Sequence, residues 1–131
     1  MRLLLDTHAW LWLQVSPERF SEHTLARLAD TGNELLLSAA SCWEIAIKYA
    51  LGKLPLPAPP SDYVPSRMER TGTTALPVLP VHALRVADLP RHHRDPFDRL
   101  LVAQAQHERI PIVTSDDAFR SYDVELIGAQ E

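Results

Sequence analysis

Carboxylates that follow apolar runs are the residues in this chain best suited to do chemistry. Leu3-Leu4-Leu5 stops at Asp6, Leu35-Leu36-Leu37 stops at Ser38 with Glu44 a short helical stretch later, and Ile112-Val113 runs into Thr114-Ser115-Asp116. A fourth acid, Asp98, opens another amphipathic stretch. Buried parallel strands read as unbroken apolar runs, and open α/β sheets hold ligands outside the carboxyl ends of those strands. Acids gathered there would repel one another, so they would either take up protons or be neutralised around a hard divalent cation.

Each acid also has a structural explanation. Asp6 and Asp116 suit turns or helix caps after a strand. Glu44 and Lys48 are spaced i, i+4 in the favourable orientation for a surface ion pair. Asp95 is placed as an N-cap, which puts Asp98 at the third helical position, where the helix dipole welcomes a carboxylate. Taken together, however, these explanations require independent coincidences at one edge of one sheet.

The elements that must position the acids follow from local patterning. Arg2–Leu5, Glu34–Leu37, Thr74–Val78, Ile112–Thr114 and Val124–Ile127 read as strands. Helices are expected over His8–Gln14, Ser21–Thr31 with Ser21 as N-cap, Ala39–Leu51 ended by Gly52, Tyr63–Arg70, Val81–Ala87 and Pro96–Glu108. In the second of these, Leu25, Leu28 and Ala29 are expected to face inward. In Ala39–Leu51 an apolar stripe of Trp43, Ala46, Ile47 and Ala50 is set against a polar one of Ser41, Glu44 and Lys48. Pro55 to Pro60 is proline-dense and must be an extended connection. This alternation predicts an α/β fold, a three-layer α/β/α sandwich around a central, mostly parallel sheet of about five strands. The 131 residues are expected to form a single domain, 1–131, with a core that needs no staple.

Composition narrows the function classes. Cys42 is the lone cysteine, which rules out an internal disulfide and fits a reducing cytoplasm, with core packing as its expected role. The short N-terminal apolar run meets Asp6 too soon for a signal peptide, and no run is long enough to span a membrane. A net charge of −4 argues against a protein that coats nucleic acid, but leaves open a nuclease whose metal supplies the positive charge.

Three blocks resemble the PIN domain, and in particular the VapC-type toxins of prokaryotic toxin-antitoxin pairs. They are Leu4-Leu5-Asp6-Thr7-His8, the helix from Ser38 through Lys48 with Leu51-Gly52-Lys53-Leu54, and His93-Arg94-Asp95-Pro96-Phe97-Asp98 continuing to Ala105. The resemblance implies an endoribonuclease dependent on Mg²⁺, with Mn²⁺ as a substitute, whose core acids are Asp6, Glu44 and Asp98, with Asp116 as the fourth. Asp117 competes for that last place, and Asp95 is kept as a cap. The all-oxygen donor set suits Mg²⁺ or Mn²⁺ better than zinc. Asp6 and Asp98 are expected to be the most direct ligands, with Glu44 orienting or deprotonating the nucleophile. The resemblance also implies an RNA substrate and a VapB-type antitoxin as partner.

Lys48, Arg94 and Arg99 are the candidate RNA contacts, with Lys53 and Arg91 nearby. His8 is a candidate to orient groups beside Asp6, and His92-His93 is read as a loop contact. Trp10, Trp12, Trp43 and Phe97 are assigned to core or interface. Apolar side chains on the first helices and around Tyr63 to Met68 lead us to expect a homodimer. Two other acidic Mg²⁺ folds fit less well. A receiver-like module expects an early acidic pair where Thr7 follows Asp6, and a haloacid-dehalogenase-like phosphatase expects an aspartate where His8 stands. The remaining alternative is a noncatalytic, acidic metal- or protein-binding module of the same fold.

Overall fold

The leucine runs become the inner strands because every side chain in them is covered: Leu3, Leu4, Leu5 and Leu37 are wholly buried and Leu36 nearly so. The computed structural model describes residues 1–91 and 95–131. Its strands β1 (Arg2–Leu5), β2 (Glu34–Ser38), β3 (Thr73–Leu76), β4 (Ile112–Thr114) and β5 (Leu126–Gly128) make one sheet in the order β3-β2-β1-β4-β5. All four pairings are parallel, with Leu3 opposite Leu35, and Leu5 opposite both Leu37 and Val113. The expected architecture is therefore present, with a sheet that is parallel throughout.

Alternation along the strands builds two cores. On one face Leu3, Leu5, Leu35, Leu37 and Val113 pack with Trp10, Phe20, Ile45 and Tyr63 from α1 (Thr7–Val15), α3 (Ala39–Ala50), α4 (Pro60–Thr71) and the connection before α2 (Glu22–Ala29). On the other, Leu4, Leu36, Leu76 and Ile112 meet Leu101, Val102 and Phe119. The helices on that side are α5 (Pro80–Arg85) and α6 (Pro96–Glu108). Among the described residues no helix is long and apolar enough to cross a membrane.

Side-chain caps set several helix starts. Ser21 accepts from the Thr24 N–H at 3.0 Å, Ser38 from Ala40 at 3.0 Å, and Asp95 from Phe97 at 2.8 Å. At the other end of α3, Gly52 turns the chain with φ +71°, a left-handed conformation that glycine adopts without strain. The fourth helix starts at Pro60, earlier than expected, because proline suits the first helical turn. A short 3-10 turn over Asp117–Ser121 was not anticipated, and β5 lies slightly later than its apolar pattern suggests.

Two expectations about helix faces are corrected. In α3 the polar stripe faces inward: Ser41 and Glu44 are buried beside Ile45, while Trp43 is 61% exposed and Ala46 and Ala50 are exposed. Periodicity establishes which residues share a face but leaves open which face the tertiary structure covers. Ala29 is likewise exposed, and Thr24 takes the inward place on α2. The apolar surplus also lies elsewhere than expected. Trp10, Tyr63 and Val64 are buried, and the exposed large side chains include Trp43, Leu51 and Leu84.

Candidate active site

Strand order controls where the acids meet. From β1 the chain moves outward to β2 and β3, then crosses to the far side of β1 for β4 and β5. The loops leaving β1 and β4 therefore diverge, opening the crevice in which such sheets hold ligands. Asp6 follows β1 and Asp116 follows β4. Asp6 is 3% exposed and caps α1, with Oδ1 accepting the Ala9 N–H at 2.6 Å and Oδ2 accepting the Thr114 hydroxyl. The same Thr114 oxygen accepts the Asp116 N–H at 2.9 Å, so one hydroxyl ties the two loops together.

Glu44 enters from α3 and is buried. Its Oε1 accepts the Thr7 hydroxyl at 2.7 Å, and its Oε2 accepts from Lys48 Nζ at 2.5 Å. The i, i+4 pair expected from spacing exists, but its acid end is in the interior and not on the surface. That hydrogen bond is also the main cause of the raised Lys48 pKa. Asp98, in the first turn of α6, completes the group. Burial above all, followed by the charges of Asp95, Glu44, Asp6 and Asp116, pushes its carboxyl up to about 8. Burial raises the Asp6 carboxyl too, against the lowering effects of Thr114, Ala9 and His8. The charges of Asp6, Glu44 and Asp116 thus all bear on Asp98.

The ambiguous neighbours separate by geometry. Asp117 points to Arg120, 3.0 Å away at the surface, whereas Asp116 is the residue whose charge reaches both Asp6 and Asp98. Asp116 also caps the 3-10 turn through the Ala118 N–H. Asp95 is the N-cap of α6, as expected, and its charge also reaches Asp98. His8 is exposed, with its charge felt by Asp6. Arg94, His92 and His93 lie outside the described residues.

Arg99 has a different occupation from RNA contact. Its guanidinium donates to the carbonyls of Pro90 at 2.7 Å, Val86 at 3.1 Å and Leu89 at 3.4 Å, and to the Tyr122 hydroxyl at 3.3 Å. It clamps the segment 86–90 to α6. Arg99→Ala is expected to destabilise the protein by about 1.5–3 kcal/mol, the range for hydrogen bonds involving a charged group. Urea unfolding checks this, and an unchanged midpoint would show the clamp to be dispensable.

Sequence reasoning did not assign Thr7 and Thr114, the two hydroxyls that hold Glu44 and Asp6. Their signal was adjacency, since Thr7 follows Asp6 and Thr114 ends a strand two residues before Asp116. A second titratable group was also missed. His82, His107 and Glu108 bring ligand-type atoms within 4.8 Å of one another at the far end of α6 from Asp98. His82 Nδ1 accepts the Leu79 N–H at 3.0 Å, so in the neutral ring the proton sits on Nε2 and is directed to Glu108 at 3.1 Å. This arrangement leaves the buried ring no lone pair for a metal and makes the group a link between α5 and α6.

Comparison with known proteins bears on the family and the fold. Ribonuclease VapC22 of Mycobacterium tuberculosis is 28% identical over 121 residues, covering 92% of this chain and 91% of the relative. Ribonuclease VapC16 of the same organism is 58% identical over 59 residues, which is 45% of this chain and only 42% of the relative's length. Among solved structures, a toxin-antitoxin complex from Klebsiella pneumoniae contains a chain that superposes with a TM-score of 0.67 at 16% identity, over 98% of both chains. At that identity the likeness concerns the fold. The PIN domain family model matches residues 3–125, so nearly every element described above falls within it, and the chain belongs to the PIN domain family.

Proposed function

We propose that this protein is a metal-dependent endoribonuclease that acts as the toxin of a type II toxin-antitoxin pair. The observation that carries the reading is the placement of Asp6, Glu44, Asp98 and Asp116 around the β1/β4 crevice, where burial first and the neighbouring acids second push the Asp98 carboxyl up to about 8. Two relatives named as ribonucleases support it.

The donors fit a hard divalent cation. They are carboxylate oxygens, two of them oriented by neighbouring hydroxyls, and their excess negative charge is what such a cation removes. Asp6, Glu44, Asp98 and Asp116 are the residues that would hold Mg²⁺, with Mn²⁺ as a substitute. When bound, such an ion lowers the pKa of water and stabilises charge on a phosphodiester under attack. The rest of the work belongs to the chain. Thr7 and Lys48 hold both oxygens of Glu44, which favours orientation over free proton abstraction as its role. Thr114 couples Asp6 to Asp116, so the loops after β1 and β4 keep a common spacing. Lys48 places a cation beside the acids, where a phosphate must approach against their charge.

The antitoxin belongs to the proposal as a VapB-type protein, in keeping with the solved toxin-antitoxin complex of the same fold. A second copy of the chain is the further partner, on the strength of the exposed Trp43, Leu51 and Leu84. Residues 1–131 act as one domain, and the site of action is the cytoplasm, where the free Cys42 stays reduced.

Incubating purified, antitoxin-free protein with a mixed structured-RNA pool in Mg²⁺, Mn²⁺ or EDTA tests the reading. Products are expected with either metal and none with EDTA. Folded, metal-binding protein that yields no products would favour the noncatalytic module, and failure to bind metal would remove the carboxylate site.

A further inference from the structure

A cavity of about 300 Å³ lies between α1 and the end of α3, at the lower end of the size range for small-ligand sites. Leu11, Ile45 and Leu54 supply its apolar surface, and His8, Lys48 and Lys53 supply its polar groups. Thr7 also lines it. Because Thr7 and Lys48 are the two residues bonded to Glu44, the cavity abuts the carboxylate site directly. No acidic side chain lines it. Lys53 is exposed and forms no salt bridge among the described residues.

An apolar hollow with the exposed Lys53 at its edge, next to an acidic site, is complementary to a ligand with a flat uncharged body and an adjoining anion. We propose that it receives one unstacked base of a single-stranded RNA beside the bond that is cut, with Lys53 on the neighbouring phosphate. This rests on the ribonuclease reading above and adds the substrate feature that the site recognises. Single-stranded RNA is read through bases splayed out of the stack. The Thr7 hydroxyl and the Lys48 ammonium are both committed to Glu44, which leaves the aliphatic walls and the exposed His8 and Lys53, so the pocket selects for the presence and size of a base more than for its hydrogen-bonding edge.

The test uses a short single-stranded RNA of mixed sequence, and a set in which each nucleotide in turn is made abasic, cleaved in Mg²⁺ by the unaltered protein, Leu54→Trp and Lys53→Gln. With unaltered protein, base loss at one position next to the cut is expected to lower kcat/KM about tenfold, the effect of ~1.4 kcal/mol. Leu54→Trp fills the hollow from its half-buried edge, so it should slow cleavage of intact RNA by a similar factor and flatten the abasic profile. Lys53→Gln, at an exposed site that folding tolerates, should weaken all substrates alike and reduce the salt dependence by about one phosphate contact. Cleavage with a flat abasic profile, or with unchanged rates in both variants, overturns this inference alone. Unchanged cleavage by Leu54→Trp combined with lost inhibition by an antitoxin also overturns it and assigns the cavity to a protein segment. No cleavage by the unaltered protein overturns the ribonuclease reading and this inference together.

Discussion

Asp98→Asn is expected to lower RNA cleavage by at least about a thousandfold and at the same time to raise the thermal midpoint of the metal-free protein by on the order of a few degrees. The two effects have opposite signs because they share one cause. Asp98 is held among Asp95, Glu44, Asp6 and Asp116 in partly buried surroundings, which makes its negative charge useful to a bound cation and unfavourable without one. The neutral amide removes both. Cleavage assays and thermal unfolding with and without Mg²⁺ check the pair of effects. A variant that loses activity while also becoming less stable without metal would show that Asp98 supports the fold and is not a strained ligand.

The same group sets a pH dependence. Its carboxyl titrates near 8 in the folded chain, against 3.8 for an unperturbed aspartate. Between those values the native state holds more protons than the unfolded state, so stability without metal falls as pH rises from about 4 to about 8. The raised Asp6 carboxyl contributes with the same sign. A bound cation displaces these protons, so metal affinity should increase across that window. Unfolding of the metal-free protein at pH 5 and pH 8 should show the decline, and Asp98→Asn should flatten it.

Asp6→Asn and Asp6→Ala should both abolish cleavage but differ in stability. Asn keeps an oxygen to accept the Ala9 N–H and so retains the α1 cap, and Thr114 can accept from its amide nitrogen. Its stability should stay within about 1 kcal/mol of the unaltered protein. Ala loses the cap and leaves the buried Thr114 hydroxyl without its carboxylate, at a combined cost of about 2–3 kcal/mol. Urea unfolding distinguishes the two. Cleavage surviving in Asp6→Asn would take Asp6 out of the site, and equal stabilities would refute the capping argument.

Much of this was legible locally. Leucine runs without polar interruption became inner strands, Ser21 and Asp95 became caps, and α6 spans Pro96–Glu108 as its pattern indicated, because each depends on nearby residues alone. The local structural explanations of the acids are largely met in the structure, although the Glu44 end of the ion pair is buried. Asp6 and Asp116 are caps and Glu44 pairs with Lys48. A cap geometry fixes a carboxylate, and a fixed carboxylate is what a metal site needs.

By itself, then, the sequence determined the main helices and strands, their order, the α/β class and the candidate acids, since these follow from side-chain chemistry and short-range spacing. Only the tertiary structure decided that β4 would add on the opposite side of β1 from β2 and so bring the loops carrying Asp6 and Asp116 to a shared crevice. It also decided that α3 would bury Glu44 and expose Trp43, that Asp116 and not Asp117 would face the other acids, and that Arg99 would be spent on carbonyls of its own chain. The physical reason is common to all of these. Periodicity specifies which side chains lie on the same face, whereas strand pairing between distant segments specifies what that face meets.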